Sequence, residues 1–161
     1  MGLILAVNLH GHINSSAPVR KALNELWVAR KFSASVVPDD PVTVGILRLC
    51  KDYIAWAPLE AGLLADLLSK KGMTSTVRPL DKAALKQLGF GDHKELAAKM
   101  LKDQQRLSAV AGVVPYFRLS PPRGGFKRSL RRQFTEKGEL GSNPKLEEIV
   151  RRMLVAGIYL T

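Results

Sequence analysis

Residues 39–56 read Asp39-Asp40-Pro41-Val42-Thr43-Val44-Gly45-Ile46-Leu47-Arg48-Leu49-Cys50-Lys51-Asp52-Tyr53-Ile54-Ala55-Trp56. The Asp40 side chain can cap a helix, and Pro41 suits the first helical position, where a missing N–H goes unnoticed. Val44, Leu47, Leu49 and Cys50 carry that helix forward. Tyr53-Ile54-Ala55-Trp56 then reads as a strand, cut off before Pro58.

The same alternation extends toward the N-terminus. Ser33–Val37 reads as a strand ending at Pro38. Asn14-Ser15-Ser16 with Pro18 is a helix start, and Val19, Leu23, Leu26, Trp27 and Arg30 follow at helical spacing, giving one apolar face. Leu3–Leu9 is a short β-prone run. The order through residue 58 is therefore β-α-β-α-β.

Toward the C-terminus the character becomes helical. Leu59, Leu63, Leu64, Leu67 and Leu68 form one stripe, stopped at Lys70-Lys71-Gly72. Asp81–Leu88 predicts a short helix closed by Gly89. Asp92 with Glu95 resembles a capping box ahead of Leu96, Met100 and Leu101. Val113–Leu119 reads as a strand, and Asn143-Pro144 opens a last helix with Leu146, Ile149, Val150, Met153 and Leu154 on one face. The segments are 1–58, a β-α-β-α-β core; 59–107, a helical extension; and 108–161, a basic loop with an anchoring helix.

The chain has 161 residues, net charge +11 and 46% hydrophobic residues. That length and apolar content suit one folded domain with a core. The charge points to nucleic acid or an anionic membrane surface. It is uneven: net +2 over 1–58, +3 over 59–107 and +6 over 108–161. Cys50 is the single cysteine, which excludes an intrachain disulfide and suits a reducing compartment. No apolar run reaches transmembrane length, and the N-terminal run lacks the basic start of a signal peptide. Ala6 stands where a myristoylation motif wants Ser or Thr.

Most of the basicity lies in Tyr116-Phe117-Arg118-Leu119-Ser120-Pro121-Pro122-Arg123-Gly124-Gly125-Phe126-Lys127-Arg128-Ser129-Leu130-Arg131-Arg132-Gln133-Phe134, which has six cations and no carboxylate. Its prolines and glycines exclude one continuous helix or strand. The reading is a loop tethered at both ends, whose removal over 120–134 leaves the fold intact. Its cations (Arg118, Arg123, Lys127, Arg128, Arg131, Arg132) would neutralise phosphates. Gly124-Gly125 would let a backbone approach closely, and Phe126 would stack on a base or pack on the body. If all the cations met phosphate, the log–log salt slope would approach roughly −4 to −5. Pro121-Pro122 reads as a stiff spacer.

Other candidate constellations have simpler explanations. His10 and His12 flank Gly11, with only His93 and Cys50 as distant further ligands, so no metal site is expected. Cys50 falls on the apolar side of its helix and reads as core. One of Asp39-Asp40 caps a helix and the other sits in the turn, so the pair needs no acid–base chemistry. Nucleotide-binding glycine motifs are absent, and no cofactor is implied. Gly45 costs a helix about 1 kcal/mol relative to Ala. It marks close packing on the sheet or the approach of RNA or another backbone.

Residues 42–56 resemble the central helix and its exit in ribosomal protein L-thirty of archaea, the counterpart of eukaryotic large-subunit protein L-seven. Residues 115–127, Glu139-Leu140-Gly141 and Arg151-Arg152-Met153-Leu154 are similar to the same family, in the same order. The resemblance implies an α/β (α+β) chain with a ferredoxin-like β-α-β-α-β core. Helices would lie on one face of a small, mainly antiparallel sheet, with a helical and basic C-terminal extension. It implies a structural role in the large (50S) subunit in the cytoplasm, supporting translation, with large-subunit rRNA as partner: 23S, with 5S left open. Neighbouring ribosomal proteins are expected; a membrane, a stable homo-oligomer and an enzymatic activity are not. RNA contacts are implied for Arg48 and Lys51 in the helix, and for Arg118, Arg123, Lys127 and Arg128 in the loop. The rival readings are an RNA-processing or RNA-modifying enzyme, which needs a convergent acid–base or metal site, and a membrane-surface protein, which needs a basic amphipathic helix.

Overall fold

The computed structural model describes residues 2–13, 15–74, 79–104, 107–109, 113–122, 125–126 and 128–156. Strand β1 (Leu3–Asn8) is buried at all six positions. Its side chains alternate between faces. Leu3, Leu5 and Val7 enter one apolar cluster, and Ile4 and Ala6 enter another. A strand apolar on both faces has to be covered from both sides. It is flanked by β2 (Ser33–Pro38) and β3 (Ile54–Pro58), both antiparallel to it.

Helices α1 (Ala17–Glu25) and α2 (Pro41–Leu49) cover one face, with Leu23 and Leu47 packed toward Ile4, Val37 and Ile54. This is the expected ferredoxin-like core with its helices on one side. The other face is covered by α3 (Ala61–Lys71), α4 (Lys82–Gln87), α5 (His93–Asp103) and α6 (Leu146–Ala156). Leu64, Leu67, Leu85, Met100, Val150 and Met153 are buried there with Leu5 and Val36. Each such leucine contributes about 1.5–3 kcal/mol of apolar burial.

The C-terminal third completes the sheet. Strands β4 (Phe117–Arg118), β5 (Ser129–Gln133) and β6 (Gly138–Ser142) give the order β4-β2-β1-β3-β6-β5 among the described residues. β4 pairs antiparallel with β2, β6 parallel with β3, and β5 parallel with β6 through an irregular register.

Local chemistry sets several helix ends. Asp40 accepts the Thr43 N–H at 2.7 Å and Asp81 accepts the Ala84 N–H at 2.8 Å, as N-caps do. At α5 the expected capping box is displaced by one residue. Asp92 accepts from the next residue, His93, and Glu95 reaches back to the Gly91 N–H at 2.9 Å.

α1 ends earlier than its periodicity predicts. Trp27 N–H donates to Asn24 O at 3.1 Å and Val28 N–H to Leu23 O at 3.0 Å. That bonding is a Schellman stop, whose left-handed position favours glycine. Trp27 occupies it, at φ 62°, and is 47% exposed rather than on the apolar face. A left-handed L-residue costs roughly 1–2 kcal/mol.

Two further expectations change. The strand expected over Val113–Leu119 contracts to Phe117–Arg118, because Val114 N–H turns to Met73 O at 2.8 Å and Pro115 has no N–H to pair. The basic segment is not a removable loop, since residues 129–133 form β5 and Phe126 stacks on Phe32. Deleting 120–134 would therefore remove part of the sheet.

Asn8 closes β1 and is fully buried. Its Nδ2 donates to Val28 O at 2.7 Å and Gly11 O at 3.3 Å. Its Oδ1 accepts the N–H of Gly11 at 2.7 Å and of His10 at 3.1 Å. Gly11, at φ 88°, takes a left-handed turn that a side chain would strain. The Asn8 carbonyl accepts the Phe32 N–H. One side chain thus pins the loops on both sides of α1. Asn8→Ala should leave buried polar groups unsatisfied and cost at least about 2 kcal/mol. A urea midpoint equal to that of the parent would refute this role.

Candidate RNA interface

The strand registers place the predicted cations. β1 ends where β2 and β3 begin, with Val7 opposite Ala34 and Asn8 opposite Ile54. Arg118 lies opposite Ser33 at that same end. α2 runs back from the far end of β2 to the start of β3, bringing Arg48 in its last turn and Lys51 after it. β6 enters from this end too, with Gly141 opposite Ala55. Arg131 and Arg132 in β5 are tied in by Gln133, whose Nε2 donates to Lys51 O at 2.8 Å and Asp52 Oδ1 at 3.3 Å. Arg48, Lys51, Arg118, Arg131 and Arg132 are all exposed. One end of the sheet therefore collects cations from α2, β4 and β5.

The rest of the basic segment supports that surface. Arg128 is half-buried, with its guanidinium 4.3 Å from the Phe134 ring centre and Nη2 donating to Phe134 O at 3.0 Å. Phe126 stacks on Phe32 at 6.2 Å, nearly parallel. Gly125 O accepts from Arg152 at 2.9 Å. Phe117 is fully buried. The aromatics at 117, 126 and 134 thus pack on the chain itself. Arg123, Gly124 and Lys127 lie outside the described residues. Glu139 is buried in β6, and burial raises its carboxyl pKa, with Arg128, Asn143, Arg152 and Lys145 opposing the shift.

The outer face of α2 adds a second feature. Val42 and Leu49 are 74% and 52% exposed, on either side of Gly45. A shallow groove lined by Asp39, Asp40, Pro41, Val44, Gly45 and Arg48 runs along it. A Cβ built on Gly45 meets no atom within 4 Å. Packing on the sheet therefore does not explain this glycine.

Reactive groups are placed for structure. Cys50 is buried, and burial pushes its thiol up to about 11, which leaves no nucleophilic thiolate at neutral pH. Asp40 is a helix cap. His93 bonds Leu80 O at 2.7 Å, and His10 stands edge-on to Tyr53 at 5.3 Å. Among the described residues no three His, Cys, Asp or Glu side chains converge as metal ligands, and no helix is long and apolar enough to cross a membrane.

The chain is similar along nearly its whole length to curated archaeal proteins named large ribosomal subunit protein uL30. It is 34% identical to that of Nitrosopumilus maritimus, over 94% of this chain and 97% of the relative. The chain belongs to the uL30 family. The uL30 of Staphylothermus marinus is 35% identical over 94% of this chain and 98% of its own length. That of Thermofilum pendens is 33% identical over 96% and 100%. No family model matches the chain. The resemblance carried by residues 42–56 and 115–127 is thereby established as uL30 membership.

In this uL30 chain, sequence reasoning missed Asn8 and Gln133. Asn8 had a signal, as the polar residue closing an apolar run. Gln133 had none, because its partners lie 81 and 82 residues away. Gly45→Ala should stabilise the isolated chain by about 1 kcal/mol, since the methyl group enters open space. A fall in the urea midpoint would mean that Gly45 has an internal packing role after all.

Proposed function

We propose that this chain is a structural protein of the large ribosomal subunit, cytoplasmic like the subunit, which binds and stabilises large-subunit rRNA in support of translation. The observation that carries the reading is the gathering of Arg48, Lys51, Arg118, Arg131 and Arg132, all exposed, at one end of the sheet in a chain of net charge +11. Cations spread along one end of the sheet can follow a nucleic-acid backbone, which releases counterions as its phosphates are neutralised. Arg123 and Lys127, read from the sequence alone, would add phosphate-neutralising charge. Arg128 and Phe126 brace the surface. Contacts of this kind read phosphate position and shape more than base sequence.

The main partner in this reading is 23S rRNA, with 5S rRNA as a second candidate and other large-subunit proteins as neighbours. No catalytic step, cofactor, membrane contact or stable homo-oligomer belongs to it. The buried Cys50 thiol and the capping role of Asp40 support the absence of a catalytic step.

The Lys51→Ala, Arg131→Ala, Arg132→Ala variant removes exposed charge and no buried apolar contact. Its urea midpoint should match the parent's. Its log–log salt slope on a 23S rRNA fragment should be shallower by about 2 to 3. An unchanged slope would place the interface elsewhere. Large subunits washed in high salt should retain the parent chain, as read by mass spectrometry. Recovery of the chain only in the free cytosol would sink the ribosomal reading.

A further inference from the structure

The left-handed stop of α1 sets the Trp27 side chain at an open cleft. The cleft holds about 350 Å³ and is lined by Asn24, Trp27, Ala29, Arg30, Ser33 and Tyr116. That volume is within the usual range for a small-ligand site. Two aromatic residues line it, and none of the lining residues is acidic. Arg30 is exposed at its edge. Arg118, opposite the lining residue Ser33, holds its guanidinium 5.8 Å from the Tyr116 ring centre and 3.5 Å from the Tyr116 hydroxyl. The cleft thus lies on the same cationic end of the sheet as the proposed rRNA surface.

Trp27 needs an explanation beyond folding. The Schellman position favours glycine, yet a bulky aromatic holds it with 47% of its surface exposed. A strained, solvent-facing residue of this kind is the pattern from which a ligand contact is argued. Aromatic faces accept any nucleobase by stacking, and guanidinium groups accept the flanking phosphates.

We infer that the Trp27–Tyr116 cleft holds one unpaired nucleotide of RNA. The base stacks on Trp27 and Tyr116, the Asn24 amide meets a polar edge of that base, and Arg30 and Arg118 meet the adjoining phosphates. The inference rests on the rRNA-binding reading and adds a preference to it. A cleft for an extruded base selects single-stranded over duplex RNA, whereas exposed cations alone bind either.

The test uses the full chain with two probes: a single-stranded oligoadenylate of about a dozen nucleotides, and an RNA duplex of equal length. Trp27→Gly removes the ring and relieves the left-handed strain, so its urea midpoint should rise. Its affinity for the oligoadenylate should fall about tenfold or more, and its affinity for the duplex should not change. Tyr116→Phe retains the stacking face and should bind both probes as the parent does. If the parent binds neither RNA, the rRNA reading fails and takes the cleft with it. If the parent binds both and Trp27→Gly still binds the oligoadenylate as tightly, the cleft inference alone is overturned. If Trp27→Gly binds both RNAs normally yet is lost from assembled subunits, the cleft takes a protein segment, which also overturns it.

Discussion

Every residue of β1 is buried, and the molecule is arranged around covering both of its faces. Two helices of the β-α-β-α-β core can cover only one of them. The other face would stand as an apolar sheet in water, with about 1.5–3 kcal/mol at stake for each large side chain left exposed. The helical region after Leu59 supplies the missing layer, and α6 closes it from the far end of the chain. Core and extension are therefore bound by one energetic requirement, although the extension follows the core in sequence.

Covering the faces leaves the ends of the strands. At the end where β1 finishes, the backbone groups of the loops need partners. Asn8 supplies several of them from a single buried amide. Phe126 stacks on Phe32 in one of the loops it pins, and Gln133 ties the basic segment to the turn at Lys51 and Asp52. Packing produces the platform, and its charge is what the proposed rRNA contact would use. The cations on it differ accordingly: Arg128 braces the surface through Phe134, whereas Arg131 and Arg132 face solvent.

What could be read from sequence follows the range of the interactions. Asp40-Pro41 located the start of α2 to the residue, because a cap and a proline act within one turn. The apolar stripes of α3 and α6 were equally legible. β6 was not: Gly-Glu-Leu-Gly-Ser contains no β-branched residue, and it is a strand because β3 and β5 pair with it. β5, with two arginines and a serine, reads as loop in sequence for the same reason. Spacing alone puts Trp27 on a helix face, because it cannot register a Schellman stop. In the candidate site, Arg48, Lys51 and Arg118 could be singled out by type and position. Their gathering with Arg131 and Arg132 depends on sheet order and on Gln133, which spans more than eighty residues.

On the proposed reading this end of the sheet, rather than the face covered by α3 and α5, meets rRNA. Electron cryo-microscopy of large subunits containing the chain measures that orientation directly. The expected map has rRNA phosphates within about 4 Å of Arg48, Lys51, Arg118 and Arg131, the distance at which unit charges pair strongly. A map with rRNA laid against α3 and α5, and this end of the sheet open to solvent, would contradict it.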